Sequence, residues 1–143
     1  MTQEDKELLL RDLCARLPYK TKIQLTEYSD LTGEKLPSKI KTLDYCMLGK
    51  AQAYCKGFRK DEIKPYLFPL SSMTEEQKEE YGKCYDIDLA NCAKNLCDRL
   101  NGKDTINGYP MYNHIDWCNK NHFDYRGLIE KGLAIDCTNL NIY

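Results

Sequence analysis

The sequence predicts an α+β fold in one domain spanning residues 1–143: an N-terminal helix over 3–17, a small bent antiparallel sheet or partial barrel of about four strands over 20–70, a helical region over 74–132 and a short tail over 133–143. Three observations carry this. Leu9, Leu10, Leu13, Cys14 and Leu17 recur at helical spacing until Pro18. Residues 20–70 break into short β-like runs separated by Gly- or Pro-bearing turns. From Thr74 onward, capping signals precede apolar residues spaced for helices.

Thr2 and Asp5 form a capping-box pattern that starts the first helix, whose apolar stripe needs a surface to cover. Runs 22–28, 39–47, 50–58 and 63–70 read as four strands of a meander. A tight hairpin is expected around Leu48-Gly49, because Ala51, Ala53 and Cys55 alternate with Gln52, Tyr54 and Lys56. Pro65 and Pro69 assign the last run to a sheet edge or to irregular structure. Thr74 and Gln77 make a second capping box. Beyond it, Tyr81, Tyr85, Leu89, Cys92, Leu96 and Leu100 fall within about 100° on a helical wheel, so a long helix, with Gly82 as a point of interruption, should bury that stripe and end at Asn101-Gly102. After the loop 103–111, a helix begins near Asn113. Asp124 then caps a last helix, Tyr125 to Lys131, closed by Gly132, and the tail adds a short strand.

Composition narrows the function classes. Charged residues are 30% of 143, but 21 basic and 22 acidic side chains nearly cancel, which is the balance of a globule and not of a polyelectrolyte that coats DNA. Leu8-Leu9-Leu10 follows acidic residues, and no run approaches the roughly 20 apolar residues of a membrane helix, so no signal peptide, no membrane association and a cytoplasmic location are expected. The eight cysteines are then thiols. No two have the spacing of a zinc knuckle, the nearest being Cys92 and Cys97, so they are read as core filling with no metal and no cofactor.

The window Trp117 to Ala134 concentrates aromatic, ionisable and helix-punctuating residues, and Trp117, His122, Tyr125 and Arg126 are the first candidate binding residues. His122, Asp124, Tyr125 and Arg126 carry groups fit for acid–base work, although a capping role for Asp124 and an ion pair from Arg126 to Asp124 or Glu130 account for them equally. Cys118 lies four residues from both His114 and His122, which makes Cys118/His122 the pair an enzyme would use. Charge is unevenly spread: residues 20–68 hold ten Lys/Arg against six Asp/Glu, and 74–100 hold four against seven. Tyr28, Tyr45, Tyr54, Phe58 and Tyr66 interleave with Lys39, Lys41, Lys50, Lys56, Arg59 and Lys60, a mixture that small barrels use on nucleic acid, while lysines on strands also protect sheet edges. Eleven tyrosines exceed what a small core needs, which favours self-association or a protein partner.

Three segments, Lys6 to Tyr19 (KELLLRDLCARLPY), Ile63 to Thr74 (IKPYLFPLSSMT) and His122 to Ala134 (HFDYRGLIEKGLA), resemble a family of short hypothetical proteins of phages, prophages and mobile elements of gut Bacteroidetes. The resemblance implies an origin without a mechanism. From it we expect a non-enzymatic accessory binding protein in the cytoplasm of a bacterial host, countering host defence by binding a host protein or a nucleotide signal. The alternatives are a small-barrel nucleic-acid-binding accessory protein and a small enzyme using Cys118/His122. Homo-oligomerisation is compatible with all three.

Overall fold

The computed structural model describes residues 1–57, 62–100 and 113–143, with the side chains of 91 and 95–100 left aside. The fold is α+β. Helix α1 (Gln3–Arg16) opens on the expected capping box, with Thr2 Oγ1 accepting from Asp5 N at 3.1 Å and Asp5 Oδ2 from Thr2 N at 3.0 Å. Its buried stripe differs from the apolar one read in the sequence: Leu9 and Leu13 are buried as expected, but so are Asp12 and Arg16, while Cys14 faces outward. A 3-10 turn, Leu17–Tyr19, leads into the sheet.

Strands β1 (Lys22–Thr26), β2 (Lys39–Thr42) and β3 (Glu62–Pro69) are antiparallel in the order β2-β1-β3. The predicted strand over 50–58 and its hairpin at Leu48-Gly49 are instead helix α2 (Tyr45–Cys55); Phe58 lies outside the described residues. Asp44 caps α2 by accepting from Met47 N at 2.7 Å. Ala51 and Cys55 are buried and Met47 packs on the same cluster, a four-residue period that the alternation of Ala51, Ala53 and Cys55 masked.

β3 is central, not an edge strand. It pairs with β1 over residues 62–65, with β5 (Ile135–Asp136) at Tyr66 and Leu67, and with β4 (Phe123–Asp124) at Phe68 and Pro69. Both late pairings are parallel, so the chain returns to complete the sheet from its C-terminal end. Pro65 deletes one donor, but burial of Ile63, Tyr66 and Leu67 outweighs that loss.

The main core lies between α1, α2 and the sheet, built from Leu9, Leu13, Ile23, Leu25, Leu43, Ala51, Cys55 and Ile63. Leu67, Leu128, Leu133 and Ala134 form a second cluster, and Met73, Cys118 and Phe123 a third, against which Phe68, Tyr81, Trp117 and Tyr125 pack. Helix α3 (Glu75–Leu100) starts with the predicted reciprocal bonds between Thr74 and Gln77, and runs through Gly82 unbroken. Helix α4 (Asn113–Lys120) follows; the cap expected at Asn101-Gly102 and the loop 103–111 lie outside the described residues. The helix expected over 125–131 is replaced by turns, because Gly127 (φ +70°) and Gly132 (φ +68°) take left-handed conformations and Asp124 binds two amides at once. Among the described residues, no helix is long and apolar enough to cross a membrane.

Candidate functional site

The C-terminal window is where chemistry was expected, and the fold turns much of it inward. Arg16, fully buried on α1, donates from Nε to Asp12 Oδ2 and from Nη2 to the Phe123 carbonyl, each at 2.7 Å. Its guanidinium and that of Arg126 lie over the Tyr125 ring, 5.5 and 4.9 Å from the centroid. Arg126 donates to Tyr125 Oη at 3.0 Å and ion-pairs with Asp12 at 3.4 Å, not with the expected Asp124 or Glu130. Asp12 Oδ1, Arg16 Nη1 and Asn119 Oδ1 are buried without a hydrogen-bond partner among the described residues. Burial pushes the Asp12 carboxyl above its ordinary range, an effect the Arg16 charge offsets only in part. Asp124 accepts from Leu128 N at 2.9 Å and Ile129 N at 2.8 Å, which fixes the turns that follow.

His122 sits at φ +59°, just past α4. Its ring stacks on Tyr143 at 3.9 Å with an 11° interplanar angle, and Nδ1 lies 3.3 Å from Thr21 Oγ1. Tyr143 in turn donates to the Tyr66 carbonyl at 2.8 Å and accepts from Lys22 N at 3.0 Å, strapping the C-terminus across β1 and β3. Burial, with the nearby Arg16 charge, pulls His122 down to about 4. Burial pushes the Cys118 thiol up to about 11. At neutral pH these shifts hold both groups uncharged, the reverse of a thiolate–imidazolium pair, and no hydrogen bond joins them among the described residues.

The basic group is likewise partly spent. Glu27 accepts from Lys50 at 2.8 Å and Lys39 at 3.2 Å, bonds that hold its carboxyl below the usual range. Lys41 and Lys56 are exposed, whereas Arg59 and Lys60 lie outside the described residues. In the β1–β2 register, Lys39 and Lys41 oppose the buried Leu25 and Ile23, placing charge on the core-side face of the edge strand, where it discourages strand addition. Of the interleaved tyrosines, Tyr66 is buried, Tyr28 Oη donates to Glu62 at 3.1 Å and Tyr45 is exposed.

A second constellation forms where α3 meets α4. Asp88 Oδ1 accepts from Asn113 N (3.2 Å) and Nδ2 (3.1 Å), and its Oδ2 from His114 N (3.1 Å), while His114 Nδ1 lies 2.6 Å from Oδ2. A carboxylate on one helix thus caps the other. Burial works against the Asp88 charge, but these bonds outweigh it and hold the carboxyl below its ordinary range. Tyr81 and Tyr85 meet the His114 ring edge-on, at 6.2 and 5.5 Å. Trp117 stacks on Phe123 at 5.5 Å, packs on Tyr81 at 5.8 Å and donates to Glu80 at 3.3 Å. Tyr19 anchors the far side of α4 through a hydrogen bond to Asp116.

The imidazole keeps a 24% exposed side chain, and its Nε2 has no protein partner among the described residues. An Asp–His pair with a free Nε2 is the arrangement of a general base. Here the same carboxylate is fully used as a helix cap, and the groups around it are aromatic, so the corner offers a hydrogen-bonding group set in an apolar rim. That rim continues along α3. Because Trp117 lies at Glu80 and Tyr81 while Asn113 lies at Asp88, α4 runs antiparallel to α3 and covers it no farther than Asp88. α3 continues for twelve residues, about 18 Å at 1.5 Å per residue. Tyr81 and Cys92 of the predicted stripe are half-buried, but Tyr85 and Leu89 remain 45% and 51% exposed, contrary to the expected burial.

Of the sequence-derived candidates, Trp117 belongs to this corner, Tyr125 and Arg126 to the clamp built around Arg16 and Asp12, His122 to the Tyr143 strap, Lys39 and Lys41 to the sheet edge, and Lys50 and Lys56 to α2 and its C-cap. Asp88, Tyr85, Asp12, Arg16 and Tyr143 were missed. Asp12 and Arg16 did carry a signal, an i,i+4 ion pair on a helix whose apolar stripe adjoins them. Comparison with protein-family models, with curated proteins and with solved structures gives no match.

Proposed function

We propose that this is a non-enzymatic accessory protein that acts by docking another protein on the face of α3 that α4 leaves uncovered. The observation that carries the reading is the mismatch in helix length: an amphipathic stripe built to be covered outruns its cover at Asp88, leaving Tyr85 and Leu89 at the surface beside the His114 edge. A rim of this kind, aromatic and aliphatic with a single hydrogen-bonding imidazole, has the composition of a protein contact. The resemblance to mobile-element proteins makes the cytoplasm of a bacterial host the compartment and a host protein, such as a defence component, a further partner class. Glu27 and Glu62 weigh against the basic strands as a nucleic-acid surface, since they engage Lys39, Lys50 and Lys35.

The test is affinity capture from a gut Bacteroidetes host with the full chain, its Leu89→Glu variant and its Lys41→Glu variant. The reading predicts a complex that survives Lys41→Glu and disappears with Leu89→Glu. Loss with Lys41→Glu alone would move the function to the basic edge.

A further inference from the structure

We infer that the slot holding the Tyr143 side chain is a recognition site for a phenol, filled here by the protein's own tail and opened when that tail swings away. The floor of the slot follows from the sheet. In the β1–β3 register Ile23 pairs with Pro65, so Lys22 and Tyr66 would form the next rung. The ladder stops at Ile23, and Tyr143 Oη bridges the two residues beyond it, accepting from Lys22 N at 3.0 Å and donating to the Tyr66 carbonyl at 2.8 Å. By Phe68 the strand has changed partner to β4, with Phe68 N donating to the His122 carbonyl at 2.9 Å. The gap between the two pairings thus presents a backbone donor and a backbone acceptor together, and one hydroxyl satisfies both.

The walls suit a flat ring. His122 lies nearly parallel to the Tyr143 ring, with centroids 3.9 Å apart and planes 11° apart, and Phe68 meets it tilted at 5.9 Å. Each wall is held by contacts that do not involve Tyr143. His122 is fixed by the Phe68 amide on its carbonyl, by the Asn119 carbonyl on its amide and by Thr21 beside Nδ1, and Phe68 packs on the Phe123 ring at 5.9 Å. A slot supported in this way keeps its shape when emptied, so little ordering opposes the entry of a ligand.

The tether is held loosely. Among the described residues, the hydrogen bonds of residues 138–142 stay within 136–142, and Thr138 to Asn141 are exposed. Cys137, buried and bonded to the Leu67 carbonyl, is the last fixed point before Tyr143. Tyr143 as a whole is 44% exposed, while burial of its phenol end pushes the pKa up and keeps in place the proton given to Tyr66. The side chain therefore enters from the surface, and its withdrawal leaves the slot open on that side. A tether of about five residues holds the tyrosine at a local concentration of roughly several millimolar, against a dissociation constant on the order of 0.5 mM for a free phenol of about eight heavy atoms. The tail therefore lowers the apparent affinity of the full chain about tenfold.

Calorimetric titration and thermal melts with p-cresol and with toluene, on the full chain and on its Tyr143→Ala variant, test the assignment. p-Cresol should bind Tyr143→Ala about tenfold more tightly than the parent, and at roughly 5 mM should raise the melting temperature of the variant by about 3–5 °C. Toluene, which offers the ring without the hydroxyl, should bind at least about tenfold more weakly than p-cresol. Tyr143→Phe, which leaves a ring in the slot, should take up p-cresol less readily than Tyr143→Ala while amide exchange at Lys22 quickens. N-acetyltyrosinamide separates the sources of the phenol: affinity equal to that of p-cresol admits a tyrosyl side chain of a peptide, and uptake of p-cresol alone restricts the slot to small phenols. Equal p-cresol affinity in the parent and in Tyr143→Ala, or toluene binding as tightly as p-cresol, overturns the assignment. Should Tyr143→Ala fail to fold, p-cresol is expected to restore its circular dichroism, and no restoration at roughly 5 mM, about ten times the expected dissociation constant, overturns the assignment equally.

Discussion

Arg16→Met removes the centre of the buried clamp while keeping most of its aliphatic stem. Two charge-assisted hydrogen bonds of 2.7 Å are lost, one to Asp12 and one to the Phe123 carbonyl. At about 1.5–3 kcal/mol each their sum is roughly 3–6 kcal/mol, and removal of one member of a buried pair elsewhere costs about 3–5 kcal/mol. Asp12 retains Arg126 at 3.4 Å, and its carboxyl, already pushed up by burial, can take a proton, so the lower half of that range, about 3–4 kcal/mol, is expected. For a domain with a total stability of about 5–15 kcal/mol this is a large fraction. With an m-value near 2 kcal/mol/M, the urea midpoint should fall by roughly 1.5–2 M. Adding Asp12→Leu should recover at least half the loss, since it removes the stranded carboxylate instead of leaving it buried. A single-variant cost under about 1 kcal/mol, or a double variant no more stable than the single, would refute the clamp as a stabilising contact.

Further expectations follow from other contacts. His122 is held near pKa 4 in the fold against about 6.5 in the unfolded chain, so below pH 6.5 the unfolded chain binds the extra proton and stability is lost as pH falls from 6.5 toward 4, by up to about 3 kcal/mol. His122→Asn, which tolerates the left-handed backbone, should flatten that slope in denaturation curves taken between pH 4 and 7; an unchanged slope would assign it to another group. Asp124→Ala leaves two turn amides without their acceptor and should cost about 2–4 kcal/mol, read as a lowered melting temperature together with faster amide exchange at Leu128 and Ile129. In thiol labelling of the native protein, Cys14 and Cys46 should react first among the described cysteines, whereas Cys55, Cys118 and Cys137 should react only as the chain opens; early labelling of Cys118 would contradict its burial.

Local signals in the chain were the legible ones. The capping boxes at Thr2–Asp5 and Thr74–Gln77 placed two helix starts correctly, because their partners lie three residues away. α2 was misread because the alternation of Ala51, Ala53 and Cys55 resembles a strand over so short a run, although Asp44 followed by residues spaced by four offered the competing cue. Asp124 was expected to cap a helix; it accepts two backbone amides, but the left-handed Gly127 gives turns there and not that helix. What stayed hidden depends on contacts across long separations. The bond from Arg16 to Phe123 spans 107 residues and the Tyr143 strap spans 77 to Tyr66, so nothing local encodes either one. The His122–Arg126 window looked functional because polar groups crowd it, but Phe123, Tyr125 and Arg126 serve the clamp to α1, Asp124 the following turns and His122 the Tyr143 strap. The α3 stripe was legible as a stripe. Its coverage was not, since that depends on how far α4 reaches along it.

The account stands most directly on what meets position 89. Benzoylphenylalanine placed there in the full chain, expressed in bacterial cells and irradiated, should give a covalent protein adduct, while the same group at the exposed Gln52 on α2 should give little. An adduct of twice the chain mass identifies a second copy, and one of another mass identifies a different protein on the same face. Equal and negligible yields at both positions would contradict the claim that the part of α3 beyond the reach of α4 is where this protein binds.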